Sequence, residues 1–423
     1  MKHFIIVISI LLILPLSDSM GKFNVGYDIN KRSKPNKTNN LREFKSWETG
    51  YLDIHHINTG KGDACFMILP DGTTVIFDVG NMDSNEFLKK NSPLKVTSII
   101  PNDSLSAPQW IARYIRHMLN GAINTSIDYA LISHFHSDHF AGIVELGELI
   151  PIKKIIDRDY PKYDYPLDLK GHFIGNHSEA KKFREYLKFI DKNPVVAESI
   201  QVGKTSQIIL KTNPEKYPTF KITSVKGNAT IWNGTGTETF EYFSKEDMLQ
   251  FYNGDYHENP LSLAIKLSYG KFDYFTGGDN TGLQGFGLPD WFDVETPMAK
   301  AVGKVEVMTL NHHGNRDATN EFFVNKLDPK VVVQQSWCSD HPGQEVYQRL
   351  AYNSGTMEDR DIFSTNMHQE TLVTYGPFFG GKYKSTHGHI VIRVAPGGTN
   401  YMVYILDERS LSITSEFGPY LSE

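Results

Sequence analysis

The segment "LISHFHSDHFAG", Leu131 to Gly142, crowds His134, His136, Asp138 and His139 together at the end of an apolar run. Imidazoles and carboxylates at this density are the donor set of a divalent-metal site. His134 and His136 straddle one residue, so in extended backbone both project to the same side. Asp138 and His139 follow where the chain must turn into a helix. The natural division gives one cation to His134 and His136 and a second to Asp138 and His139. Solvated histidines in a polar loop are the bland alternative, and this four-residue pattern argues against it.

A pair of cations needs a bridging anion. "YFTGGDN" offers Asp279 after an apolar strand and two glycines that let backbone approach closely. "MTLNHHGN" repeats the arrangement, with His313 as the candidate ligand. His312 is either the ligand instead or a group placed to hydrogen-bond substrate. "VIFDVGN" puts Asp78 at another strand end, where it would orient ligands or metal-bound water. No Ser or Cys nucleophile with a partnered base is evident. Cys65, in "ACFMIL", reads as a small buried core residue, and two cysteines, Cys65 and Cys338, make no disulfide framework.

The elements that must position these residues are legible from Tyr51 onward. "YLDIHHI", "ACFMIL" and "TTVIFDVG" are strand-like runs separated by Gly and Asp-Gly turn signals. "APQWIARYIRHMLN" has apolar residues at helical spacing, "IDYALIS" is a buried strand, and "FAGIVELGELI" reads as the following helix. Residues 157–258 are less regular and read as an insertion-rich region containing a helix in "SEAKKFREYLKFI". Strand–helix texture then returns with "LSLAIKLSYG", "KFDYFTGGD", a helix near 295–302, "VEVMTLNHHG", a helix at 318–326, "KVVVQQSW" and "QEVYQRLAY". Strands mixed with helices imply an α/β layered fold, with residues 49–423 as one domain and 355–423 as its C-terminal extension.

The chain's 423 residues, 40% hydrophobic, suffice for a full core. A formal charge of -6 gives no support to indiscriminate duplex-DNA binding, so nucleic acid is a partner that charge does not indicate. "FIIVISILLILPL" after a short charged start reads as a signal peptide over residues 1–19, too short for a comfortable membrane span. The expectation is an exported protein, periplasmic or extracellular, with no stable membrane partner once the signal is removed. Residues 20–48 read as an exposed leader.

His134-Phe-His136-Ser-Asp138-His139, followed by Gly142, resembles the HxHxDH signature of metallo-β-lactamase-fold hydrolases. Together with "INTGKGDACFMILPDGTTVIFDVG", "YFTGGD", "LNHHGN" and "SDHPGQEV" it is similar to the branch containing the hydrolase domain of ComEC-type competence proteins. The resemblance spans about residues 51–350. It implies a four-layer αββα sandwich with insertions and two divalent metals at one edge of the sheets, usually zinc or manganese; a nitrogen and oxygen donor set admits zinc, the first expectation, manganese or iron. The competence channel's membrane-spanning portion is missing here, so a DNA-uptake role does not carry over. The family's third histidine motif is also unclear: His257 in "DYHENPLSL" stands near its place, with Asn259 as a rival.

Such a site implies hydrolysis by a metal-bridging hydroxide, with Asp138 both holding a metal and accepting a hydrogen bond from the nucleophile. Phosphodiester hydrolysis is the first expectation because the resembled branch is rich in nucleases and phosphoesterases. Hydrolysis of a carboxylic ester, lactone or amide is the alternative, and a secreted binding protein with a relict site is a third reading. Two loops are candidate substrate contacts. "DRDYPKYDYP" offers Tyr160, Tyr163 and Tyr165 for stacking, and "GPFFGGKYKSTHGH" offers Lys382, Lys384, His387 and His389 for a phosphate. His341 in "SDHPG" is a further residue expected to flank the site.

Overall fold

The computed structural model describes residues 42–88, 92–119, 126–172, 179–351, 360–379 and 381–423. The expected signal peptide and most of the expected leader lie outside them. None of the described helices is long and apolar enough to cross a membrane.

Two large sheets face each other. The ten-stranded sheet has the spatial order Arg42–Glu43, Ser412–Leu421, Asn400–Leu406, His389–Val394, Leu52–His56, Cys65–Ile68, Thr74–Phe77, Ile127–Leu131, Ile152–Asp157, Val196–Ser199. The nine-stranded sheet runs Thr239–Glu241, Thr230–Trp232, Phe220–Gly227, Ala264–Tyr269, Phe272–Thr276, Val307–Thr309, Val331–Gln334, Asp361–Ser364, Tyr383–Ser385. Alternation along the strands sorts side chains into layers. Ile54, Met67, Val75 and Leu131 of the first sheet meet Ile265, Leu267, Val307 and Val333 of the second in one buried cluster. The opposite faces are covered by helices. Ile111, Ile115, Phe183 and Tyr186 lie on Phe66, Ile76 and Ala130. Met298, Phe323, Val324 and Val346 lie on Phe275, Met308 and Val332. The result is the αββα sandwich that the resemblance implies.

Local chemistry starts the helices where the sequence suggests. Ser106 caps Ala107–Met118 through a capping box with Gln109, with Pro108 in the first turn. Asn320 caps Glu321–Leu327 by accepting from the Phe323 N–H at 2.8 Å. That places the helix start three residues later than the apolar spacing alone indicates.

Two segments sit more centrally than the sequence implies. The irregular region contributes Phe220–Gly227, which pairs along its length with Ala264–Tyr269. The C-terminal strand His389–Val394 pairs directly with Leu52–His56, so those last strands are structural members of the first sheet. The end of the expected leader is also built in. Arg42 and Glu43 pair with the last strand, and buried Phe44 packs beneath the Arg393 guanidinium, 4.2 Å from its ring centroid.

Both sheets contain a parallel block. In the first it runs from Thr74–Phe77 to Val196–Ser199, and in the second from Phe272–Thr276 to Tyr383–Ser385. Parallel strands bring their carboxyl ends, and the loops that leave them, to one edge. Asp78, Ser133 to His139, Asp279, His312, His313 and the 335–341 loop all follow such ends.

Candidate metal centre

Backbone hydrogen bonds lash these loops together. Asp63 N donates to Asp138 O at 2.8 Å, Val79 N to His139 O at 2.6 Å, and His312 N to Gly278 O at 3.1 Å. The approach is close enough to require glycine at two points. A Cβ on Gly62 would lie 2.1 Å from Asp138 O, and one on Gly278 would lie 2.6 Å from Ser133 Cβ. Both glycines have positive φ, +119° and +55°. Asp78, His312 and His313 also have φ between 46° and 63°. L-residues with side chains enter that region at a cost of about 1–2 kcal/mol each.

Within this frame the donor atoms converge. His134 Nε2 and His136 Nδ1 face each other at 3.0 Å. Asp138 Oδ2 lies 3.0 Å from His313 Nε2 and 3.4 Å from His139 Nε2. Asp279 reaches both groups with different oxygens. Its Oδ1 is 3.1 Å from His139 Nε2 and 3.6 Å from His313 Nε2, whereas its Oδ2 is 3.7 Å from His134 Nε2. Two donor groups result, His134/His136/Asp279 and Asp138/His139/His313/Asp279, sharing one carboxylate.

The spacing fits cations. Donors held at about 2.0–2.1 Å from one tetrahedral ion sit about 3.3 Å apart. His139 Nε2 and Asp279 Oδ1 are buried, and although 3.1 Å apart neither makes a hydrogen bond. Such orphaned atoms are costly unless something absent from the protein's own atoms satisfies them. The imidazoles are also held from behind. His139 Nδ1 lies 2.9 Å from Asp78 Oδ2, His134 Nδ1 3.0 Å from Ser133 Oγ, and His313 Nδ1 3.0 Å from Asp63 Oδ1. Each partner fixes the ring orientation and leaves Nε2 aimed at the centre. Asp78 is itself anchored, accepting from Ser133 N and Ser133 Oγ, both at 2.7 Å.

The electrostatics agree. Burial opposes ionisation of Asp138, but His139 and His313 outweigh it and hold this carboxyl well below the usual range. Burial likewise opposes ionisation of Asp279, and His139, His313 and His312 overcome it. For His134 burial dominates, with His139 beside it, and keeps the imidazole neutral well below its ordinary pKa. Burial also opposes a charge on His139 and His313, but Asp279, with Asp138 beside the first and Asp63 beside the second, raises both well above the ordinary imidazole value, so a cation binding there would displace their inward protons.

Other expected residues are placed variously around this centre. His312 stands at the rim, its Nδ1 2.5 Å from Asp317 Oδ1 and its Nε2 3.1 Å from Asn259 Nδ2 and 3.8 Å from Asp279 Oδ2. Burial works against a charge there, but Asp317 and Asp279 push its pKa up to about 9. His257 is next to the centre yet outside both donor groups. Its ring meets His136 edge-on at 6.1 Å, stacks on Tyr252, and accepts from Asn259 N. His341 is buried and stacks on His313 at 4.7 Å.

Five expected substrate contacts are placed elsewhere by the structure. Tyr163 is buried among Phe135, Phe183 and Tyr160, and its hydroxyl donates to Asp157 Oδ2 at 2.8 Å, so it is a core residue and no stacking platform. His389 is buried in the first sheet, where Nδ1 accepts from Asn58 N at 3.0 Å and the ring packs on Tyr114. Lys384 pairs with Asp361 at 3.4 Å, at the beginning of the parallel strands and so at the end remote from the histidines. Lys382 lies beside it, its carbonyl accepting from Ile362 N. His387 is exposed and beyond the last parallel strand. Tyr160 is half-buried and lines a cavity of about 520 Å³ with Arg158, Tyr165 and Asn228. Cys65 and Cys338 are both free and buried.

Several participants escaped sequence reasoning. Asp63 sits in the quoted "NTGKGD" turn, whose paired glycines signal close approach. Ser133 immediately precedes the histidines but reads as an ordinary strand residue. Asp317 and Gln335, whose carbonyl lies 3.1 Å from His313 Nδ1, carry no spacing signal at all.

Residues 59–203 match the family model described as Metallo-beta-lactamase superfamily. Nothing among curated proteins matches this chain. Solved structures similar to it include CmlA, a diiron β-hydroxylase from Streptomyces venezuelae, at 11% identity and a TM-score of 0.33. That match covers 68% of this chain and 45% of CmlA, less than half of the other protein's length. Igni18, a metallo hydrolase from the archaeon Ignicoccus hospitalis, is 12% identical with a TM-score of 0.31, covering 67% of this chain and 81% of Igni18. The metallo-β-lactamase SMB-1 is 13% identical with a TM-score of 0.32, covering 75% of this chain and 89% of SMB-1.

Proposed function

We propose that this chain, in which residues 59–203 carry the metallo-β-lactamase superfamily segment, is an exported, dinuclear metal-dependent hydrolase of phosphodiesters. The observation that carries the reading is Asp279, whose two oxygens face two separate imidazole groups. His134, His136 and Asp279 would hold one divalent cation, and Asp138, His139, His313 and Asp279 the other. Such a pair supplies Lewis acidity and lowers the pKa of water toward neutrality.

The chain's own residues then define the rest of the chemistry. Asp78, Ser133 and the Gln335 carbonyl face the outward Nδ1 of His139, His134 and His313, which turns each Nε2 toward the centre as the donor to a cation. Asp138, whose side chain keeps 11% of its surface exposed, is placed to accept a hydrogen bond from the attacking water. His312, aligned by Asp317, presents Nε2 at the rim, where it can donate to an oxygen of the substrate. The buried Arg158–Glu258 pair supports this wall, because Glu258 Oε2 also accepts from Phe135 N between His134 and His136.

The preference for phosphorus over a carboxylic ester rests on the resemblance that "GKGDA", "TGGD", "HHG" and "DHPG" carry to a branch rich in nucleases and phosphoesterases. Zinc is the first choice of ion for this nitrogen and oxygen donor set, with manganese or iron as rivals. Export rests on the charged start and apolar run at residues 1–19. Purified metal-loaded protein should cleave a bis-nitrophenyl phosphodiester orders of magnitude faster than a nitrophenyl ester. The reverse preference would replace the phosphodiesterase with an esterase at the same centre. Inactivity of a fully metal-loaded protein on both classes would remove the enzymatic reading.

A further inference from the structure

Beside the dinuclear centre lies a second set of metal-binding side chains that it does not use. Cys338, Asp340 and His341 bring a sulfur, a carboxylate oxygen and an imidazole nitrogen within 4.8 Å of one another. They occupy one short loop after the strand Val331–Gln334, at the same edge of the sandwich. The loop is firmly held. Ser339 N donates to Lys95 O, His341 N to Cys338 O at 3.2 Å, and Cys338 forms a backbone bridge with Val96.

We propose that these three residues form a third cation site, taking a thiophilic divalent ion such as zinc. Several observations converge on it. His341 and Cys338 are buried, whereas the Asp340 side chain is 34% exposed, so the cluster has closed walls and one wet side. Asp340 Oδ1 is buried without a hydrogen-bond partner and lies 3.6 Å from His341 Nε2, a separation suited to two donors on one ion. Three protein donors with an open position toward solvent is a coordination pattern zinc accepts, the fourth place going to water. The sulfur makes the donor set softer than the nitrogen and oxygen set of the dinuclear centre. Binding would displace the thiol proton of Cys338 to solvent, leaving a thiolate on the ion.

The location gives the site a purpose. His341 stacks on His313 with rings 22° apart, and Asp340 Oδ2 accepts from Asn315 Nδ2 at 3.3 Å in the loop that carries His312 and His313. An ion here would stiffen the "NHHGN" loop from behind while remaining outside the donor groups of the pair.

Cobalt(II) loading tests this directly, because the dinuclear centre contains no sulfur. The wild-type protein should bind about three cobalt ions per chain and show a thiolate-to-cobalt charge-transfer band in the near ultraviolet. Cys338→Ser should lose the band and one ion, and Cys65→Ser should keep both. Loading that stops at two ions with no such band would overturn the proposal, as would a band that survives Cys338→Ser. Should Cys338→Ser fail to fold, X-ray absorption of zinc-loaded wild-type protein decides the matter. A sulfur neighbour at about 2.3 Å supports the site, and a shell of nitrogen and oxygen alone refutes it. None of these readouts depends on hydrolytic activity.

Discussion

Asp78→Asn isolates the contribution of a residue that touches no ion. Asp78 Oδ1 accepts from Ser133 N at 2.7 Å, and a backbone donor keeps an oxygen at that position in the variant. The new amide nitrogen must then occupy the Oδ2 position, 2.9 Å from His139 Nδ1. Two donors cannot face each other there, so the imidazole proton moves to Nε2, which points at Asp279 Oδ1. Asparagine also tolerates the φ of 63° at this position, so backbone strain does not confuse the result. Loss of such a supporting partner typically weakens metal affinity about 10–100-fold. That corresponds to roughly 1.4–2.7 kcal/mol for the ion held by Asp138, His139 and His313. Competition against a chromophoric chelator measures it, with the melting temperature of metal-free protein as the check on folding. An Asp78→Asn protein that holds both ions as tightly as wild type would refute the claim that His139 is kept metal-ready by its carboxylate partner.

Four further outcomes follow from the same geometry. Asp279→Asn should leave the fold intact but lower the metal content of both donor groups, with kcat falling at least about 100-fold; elemental analysis showing as many ions per chain as in wild type would contradict the bridging assignment. Arg158→Ala strands the buried Glu258 carboxylate and should cost about 3–5 kcal/mol in chemical denaturation, with a concomitant loss of activity through Phe135. Tyr163→Phe removes a buried hydrogen bond to Asp157, so stability should drop by about 1–3 kcal/mol while KM stays unchanged, which distinguishes a core residue from a substrate contact. His56 and His389 are held neutral by burial, with pKa values pushed down to about 3 from 6.5. The stability they protect is fully present above pH 6.5 and lost as pH falls toward 3, so each should cost about 2 kcal/mol by pH 5, measured by denaturation across that range.

Much of the centre was legible because metal chemistry restricts residue type so severely. His134, His136, Asp138, His139, Asp279 and His313 each stand at the end of an apolar run, and the structure gathers all six. An α/β layered fold was readable for a related reason, since buried strands are short and apolar while the helices keep their turn-by-turn spacing, and the four-layer αββα order came with the family resemblance. Orientation was less visible. Nothing in the types of Ser133 or Asp63 distinguishes a residue that positions an imidazole from one that closes a turn. The aromatic and basic loops misled for a physical reason: Tyr163, His389 and Lys384 have polar ends that suit substrate and suit internal pairing equally well. Only the position of Asp157, Asn58 and Asp361 across the fold decides between the two, and those contacts cross up to several hundred residues of sequence.

The pairing of His389–Val394 with Leu52–His56 has a consequence for biogenesis. As the polypeptide emerges from its N-terminal end, Leu52–His56 is made early, but its neighbour on one side arrives only with the final stretch. Until then one edge of a strand that ends up fully buried, two histidines included, has no partner for its peptide groups. The first sheet is thus a structure that closes last to first, and shortening the chain before residue 389 would leave its middle, rather than its margin, unzipped.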